Sequence, residues 1–539
     1  MKTIFFATVF FAGSCLAFAQ QTELPSSLSS PDSMQSQDSS QSLGDLARKA
    51  HKDHSEEAQI TPEDATTLFA AVDRITAFAA EDSGFPQHTP VKRQLIAPAD
   101  IEKRMREKLA KDEHPERWAR TELTMKKLGL LPRAFDLKEF LITMERKDIA
   151  AFYDDETKSI SMVNTIPLKA QEAVLAHELT HALQDQNYDL HAWSQPHRKE
   201  AGMDPLGDDD EAADARRAVV EGQATVVFAD YLLARTGRNL QNSPGLIYRM
   251  EDPTVKASID TPMMHDAPMI LRESGSFPYH DGLIFEGELL QAGGKKMAFA
   301  GAFAHPPKNT HEVIQPRAYL EHEKLAQLVF PDAKGLLQDQ YEVFDSGSVG
   351  ELDVRALLWQ FSGRTLADDL SKDWRGGLYM AFHKKSAVPA SAADLKLFYV
   401  SRWKSEQSAQ RFAKFYATAV ARKYLSAAPD APVACAGTAC PVSSSHFATE
   451  EGPVQIEVLK NNTVIISEGF DTETAAKLIA ATRAGGYKAS ADAIPQQELG
   501  MRLYDVPAFR RYQERVGEQM LSRTVVETDN KSASPLTNP

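Results

Sequence analysis

Apolar residues change their spacing along the chain, and each change marks an element. From Thr61 to about Leu131 they recur at helical intervals of about three to four positions. Thr61-Pro62-Glu63-Asp64 opens this region as a capping box, in which hydroxyl and carboxylate satisfy each other's backbone N–H groups. The charged run IEKRMREKLAKDEHPERWARTELTMKKLG continues the helical pattern. From Ile149 the interval drops to about two, so that IAAFYDDETKSISMV predicts two short strands joined by a polar turn at Asp154 to Lys158. The helical interval returns at Thr165 and Pro167 and runs through QEAVLAHELTHALQDQ. After the acidic, glycine-containing stretch Asp204 to Glu211, AADARRAVVEGQATVVFADYLLAR predicts another helix, and mixed helix and loop follow to about Gly350. Beyond it, LKLFYVSRW, the helix-like SEQSAQRFAKFYATAVARKYL, the strand pair GPVQIEVLKNNTVIISEG and the helix-like DTETAAKLIAATRA predict an α+β module. The fold class is α+β and predominantly helical.

The first and last residues have a different character. Lys2 precedes the apolar run Ile4 to Ala12, and Ala17-Phe18-Ala19 has the small-x-small pattern that signal peptidase cuts. Residues 1–19 therefore read as a signal peptide, and the mature chain as exported, periplasmic or secreted. A second reading of Ala12-Gly13-Ser14-Cys15 makes Cys15 a lipid anchor. No stretch reaches the ~18 apolar residues that a transmembrane helix needs. Residues 20–61 are rich in Ser, Gln and Asp with almost no large apolar side chain, the composition of a flexible linker. Two folded regions follow, 62–350 and 351–524, and a polar tail, 525–539. The helices before the hairpin read either as a removable pro-segment or as part of the fold.

Composition removes some functions. The 539 residues hold 60 Lys and Arg against 75 Asp and Glu, a net charge of −15. Phosphate-backbone binding needs a basic field that such a chain lacks, so nucleic acid is not an expected partner. With Cys15 in the signal, Cys435 and Cys440 remain, and an exported chain most simply joins them in one small disulfide loop. A metal reading of that pair would need His446.

The strongest chemical signal is His177-Glu178-Leu179-Thr180-His181. At about 100° per residue, with His177 at 0°, His181 falls near 40° and Glu178 near 100°, while Leu175, Leu179, Ala182 and Leu183 lie roughly between 140° and 240°. One face buries an aliphatic stripe; the other turns two imidazoles and a carboxylate toward a cleft. Histidines one turn apart can reach a single Zn²⁺, and the Glu between them stands where it can take a proton from an attacking water. For the third ligand we choose Glu221, a carboxylate inside the apolar helical run Ala218-Val219-Val220-Glu221-Gly222-Gln223-Ala224, where a metal relieves the cost of burying its charge. The competing explanation pairs Glu221 with Arg216 or Arg217, and His191 and His197 are rival ligands. The acidic run Gly207 to Glu211 reads as a Ca²⁺ site or as first-turn acids that complement a helix dipole.

His177, Glu178 and His181 with a downstream Glu221 followed by a small residue resemble the gluzincin branch of zinc metallopeptidases, the thermolysin-like clan. The resemblance covers the span from the hairpin to Glu221 and has more in common with secreted bacterial gluzincin-like proteins than with thermolysin itself. It implies a zincin-like core in 62–350, with the hairpin beside the HExxH helix, and an accessory module in 351–524. It implies that His177, His181 and Glu221 hold Zn²⁺, that Glu178 is the general base, and that peptides or proteins are the substrate. Asp185 matches a position where the family also carries Asp. Position 225 is Thr225, where the family commonly has an Asp that orients a ligand, so Thr225 or another acid must orient His177. The strand Ser159 to Val163 is the expected edge on which an extended substrate adds a strand. For the oxyanion donor the candidates are Tyr279 and His280, in Phe277-Pro278-Tyr279-His280-Asp281-Gly282, with His305 and His311 as alternatives. Two other functions are compatible with the same residues. One is a non-catalytic envelope binding protein that keeps the metal site; the other is a zinc hydrolase of an ester or cell-wall amide.

Overall fold

A computed structural model describes residues 61–97, 115–144, 151–193, 208–250, 267–431, 440–484 and 509–517, apart from a few positions inside these spans. The residues read as a signal peptide, with Cys15, those read as a linker up to residue 60, His197 and the tail lie outside the described residues. Cys440 is disulfide-bonded, and Cys435 also lies outside them.

The first described helix, α1 (Pro62–Ser83), starts where the capping box predicts: Asp64 N–H donates to Thr61 Oγ1 at 3.1 Å and Gly84 ends the helix at φ 76°. Its stripe Leu68, Val72, Ile75 and Ala79 is buried against Leu175, Leu179 and Leu183 of α4 (Leu168–Tyr188). Burying each such leucine is worth about 1.5–3 kcal/mol, so α1 is a wall of the core that holds the histidine helix. Arg74 adds hydrogen bonds to Tyr231 and Glu172.

Between these helices lie β1 (Lys92–Ile96), α2 (Pro115–Leu128), α3 (Leu137–Met144) and the hairpin β2 (Ala151–Asp154) and β3 (Ser159–Val163). Lys158 turns the hairpin at φ 53° and its ammonium reaches Asp185 at 2.6 Å. β1 pairs parallel to β3, a strand the helical period before Leu131 does not reveal. The sheet order is therefore β1-β3-β2, and the strand expected at the edge is in the middle. Ser159–Val163 has both ladders filled and all five residues buried, so it cannot accept a substrate strand. β2 is the edge nearest the histidine helix.

After α4 come α5 (Asp208–Ala234) and α6 (Met269–Lys296), which cross closely at Gly222 and Gly282. Asp208 to Asp210 open α5, and Glu211 accepts from Thr310 N–H and Oγ1 at 3.0 and 2.7 Å. α6 takes in Phe277-Pro278-Tyr279-His280, within the stretch read as mixed helix and loop, and breaks at Gly294 (φ 67°) before a π-helical turn, Met297–Gly301.

The remainder builds a seven-stranded antiparallel sheet from β4 (Tyr341–Ser348), β5 (Trp374–Lys384), β6 (Lys396–Trp403), β7 (Ala427–Asp430), β8 (Ser443–Thr449), β9 (Gly452–Val458) and β10 (Thr463–Glu468), ordered β4-β5-β6-β10-β9-β8-β7. Helices α7 (Glu351–Ser362), α8 (Glu406–Lys423) and α9 (Thr472–Arg483) accompany it. Because β4 pairs with β5, the sheet crosses position 350 and no seam falls there. Tyr279 belongs to the same apolar cluster as Trp374, Tyr399 and Phe412, so the two regions share a core. No helix among the described residues is long and apolar enough to cross a membrane.

A carboxyl pair ties α1 to α5. Asp82 and Asp230 face each other, buried, with Lys295 2.5 Å from Asp82 and Leu240 N–H donating to Asp230 at 2.6 Å. Burial, and then Asp82, push Asp230 up to about 7. An unfolded Asp titrates near 3.9, so the folded state holds a proton that the unfolded chain has already released. The stability this adds is complete below about pH 4 and is lost as pH rises through about 7. Asp230→Asn keeps the acceptor for Leu240 and is expected to flatten the loss of stability between pH 5 and 8, worth about 2–3 kcal/mol over that window. Urea unfolding at both pH values measures it; an unchanged slope would show that the pair is not the source.

Candidate metal centre

Helix α4 delivers His177, Glu178 and His181, and α5 delivers Glu221. His177 Nε2 and His181 Nε2 are 3.1 Å apart, and each lies 3.2 and 3.3 Å respectively from Glu221 Oε2. Among the described residues this is the group of three His, Cys, Asp or Glu side chains that can hold a metal ion. The separations are close to the ~3.3 Å edge of a tetrahedron with bonds of about 2.0–2.1 Å. The donor set fits a divalent cation with one corner open. His191 is exposed on a short helix, Leu190–Trp193, and takes no part.

The electrostatics follow from burial. His177, Glu178 and Glu221 are 2%, 7% and 4% exposed. Burial lowers the His177 pKa against the pull of Glu221. Burial also opposes charge on His181, yet Glu221 and Glu178 raise it to about 9. Glu221 is held well below the carboxylate range, against burial, by Arg217, His181 and His177. Arg217 lies 3.0 Å from Glu221 Oε1, one turn back on α5, while Oε2 faces the imidazoles. Glu221 thus pairs with Arg217 through one oxygen and turns the other to the two imidazoles. Arg216 points elsewhere, to the Trp193 carbonyl and ring.

Glu178 faces β2. Tyr153 N–H donates to its Oε2 at 2.8 Å, and burial pushes its carboxyl up to about 7. Asp185 does not orient a ligand; it accepts from Tyr153 Oη at 2.7 Å, pairs with Lys158 and caps Leu190 N–H, fastening the hairpin to α4. Thr225 does not orient one either, because its hydroxyl donates to the Glu221 carbonyl of its own helix at 2.7 Å. His177 Nδ1 is buried and has no hydrogen-bond partner among the described residues.

For His181 the orienting group is Gln184, whose Oε1 is 2.8 Å from Nδ1. Gln184 Nε2 donates to Val220 O and to Gln223 Oε1, and Gln223 Nε2 donates to Ala298 O and Phe299 O in the π-helical turn. Both amides are fully buried. This chain fixes one His181 nitrogen and leaves the other for a metal. The readable signal was a pair of amides inside otherwise apolar helical runs.

Tyr279 comes to the site from α6, its ring 6.0 Å from that of His177 and tilted 26°. Burial, with Glu221 nearby, holds its phenol well above the usual range, so it stays a donor. His280 is buried beside Asp281 at 3.7 Å. His311 is 2.5 Å from Glu351, and His305 is exposed with its carbonyl accepting from Tyr319. The bonds of His311 and His305 run to those partners, not to the His177 group.

The profile of a family described as a domain of unknown function (DUF8575) matches residues 339–479, from the start of the seven-stranded sheet to the last helix. It does not reach the histidine helix. No curated protein and no solved structure matches the chain.

Proposed function

We propose that the chain is an exported zinc-dependent peptidase whose reaction centre is His177, Glu178, His181 and Glu221. The observation that carries this reading is the carboxylate of Glu178, held by the Tyr153 N–H beside a three-donor metal group it does not join. Structural zinc sites usually close around four protein ligands, and such a site has no use for a carboxyl next to it. Zinc, when bound, polarises a carbonyl and makes water more acidic. Glu178 takes the proton of the attacking water and returns it to the leaving amine. Tyr279, kept protonated, donates to the oxygen on which charge develops. Arg217 fixes Glu221, and β2 is the strand edge beside the base.

The test is a diverse peptide mixture incubated with zinc-loaded protein and with protein stripped by a chelator, read by mass spectrometry. Cleavage by the loaded protein alone, restored when zinc is returned, is the expected result. Bound zinc with no cleavage, by the whole chain and by a chain ending at residue 508 alike, would replace this reading by a binding protein or a hydrolase of another bond.

A further inference from the structure

We infer that Phe509, Tyr512, Gln513, Glu514, Val516 and Gly517 form an autoinhibitory segment docked over the reaction centre, with Glu514 on Arg217 and Gly517 on the ring of Tyr279. This rests on the reading of the His177, His181 and Glu221 group as that centre.

The docking site is built into α6. Pro278 has no N–H, so the Ser274 carbonyl one turn back loses its helical donor. Gln513 Nε2 supplies that donor at 2.8 Å. Tyr512 Oη donates to the Leu271 carbonyl at 3.0 Å. Gly275 leaves room for the Tyr512 ring: a Cβ there would stand 2.9 Å from its Cε1. Phe509, Tyr512 and Val516 are buried in the same contact. These features define one docked position instead of loose apolar contact.

The docked segment covers the groups that would handle substrate. A Cβ on Gly517 would lie 2.0 Å from Tyr279 Cζ, so the main chain itself rests on that ring, which is 4% exposed. Glu514 lies 3.4 Å from Arg217, the cation that holds Glu221. Its charge also acts on Glu178 and Tyr279.

The test uses the full chain carrying Gly517→Leu, with a chain ending at residue 508 as a second variant. Amide hydrogen exchange reads whether 509–517 has left its site, and tetranitromethane nitration, located by mass spectrometry, reads whether Tyr279 is reachable. Gly517→Leu is expected to lose protection at 509–517 and to raise Tyr279 nitration about tenfold or more, as the open population grows. Peptide cleavage should rise with it. Greater nitration without cleavage by any variant supports occlusion and removes the peptidase reading. Wild-type nitration of Tyr279 once the segment is released, in either variant, overturns the proposal. So does wild-type protection in Gly517→Leu, because the contact leaves no room for the side chain.

Discussion

Glu178→Gln is expected to bind zinc, to fold, and to lose activity by a factor of about 10²–10⁴ in kcat, the usual contribution of a positioned general base. The substitution changes one atom. The glutamine carbonyl can still accept the Tyr153 N–H that reaches Glu178 at 2.8 Å, so β2 and α4 should keep their spacing. What disappears is the ability to hold a proton and release it. Stability should not fall: burial already works against the charged form of Glu178 and pushes its pKa up to about 7, and a neutral amide avoids that desolvation cost. Because Glu178 is not among the three ligand residues, zinc content should match the wild type. Steady-state kinetics with elemental analysis and a thermal melt separates the outcomes. Inactivity with full zinc and an unchanged melt is the signature of a base. Lost zinc would move Glu178 into the ligand set, and full activity would give the base to another group.

Much of this centre was legible before the structure because it is local. Helical spacing alone puts His177, Glu178 and His181 on one face, and an isolated carboxylate in Ala218 to Ala224 points at Glu221. The hairpin and the capping box at Thr61 are equally local, and they fall where the pattern puts them. The parts that escaped depend on residues far apart in sequence. β1 joins the sheet only because its register with β3, Lys92 beside Ser159, completes a ladder that local period cannot show. Pro278 argues against a helix interior, yet α6 contains it because Gln513 supplies the missing donor. Tyr279 was chosen as an aromatic donor without an element assigned to it, and it reaches His177 from the helix that passes over α5. The accessory module was read as α+β from its strands and helices, but the first strand of its sheet, Tyr341–Ser348, lies before it in the stretch read as mixed helix and loop, because its buried positions do not alternate cleanly.

Gly282→Ala is expected to destabilise the fold by about 3 kcal/mol or more, toward the upper end of overpacking costs, although alanine is the better helix former by about 0.5–1 kcal/mol. The sign is decided by what the new methyl meets. A Cβ at Gly282 would stand 2.4 Å from the Ala218 carbonyl oxygen and 3.2 Å from Gly222 Cα, and a Cβ at Gly222 would stand 2.5 Å from Gly282 O. These neighbours are backbone atoms, so no side chain can rotate away; α5 and α6 must separate. That separation reaches the proposed reaction centre, because Gly282 is three residues from Tyr279 and Gly222 follows Glu221 directly. A displacement of about 1 Å in a reacting group can cost on the order of 10²-fold in rate, so the variant should lose kcat even at temperatures where it remains folded. Zinc retention should suffer less in Gly282→Ala than in Gly222→Ala, since only the second methyl sits beside a ligand. Urea unfolding, activity and metal content, measured for both variants, test the three expectations together. A loss below about 1 kcal/mol, the ordinary effect of a point change, would mean that the helices slide apart freely. The crossing would then not be what sets the spacing between Glu221 and Tyr279.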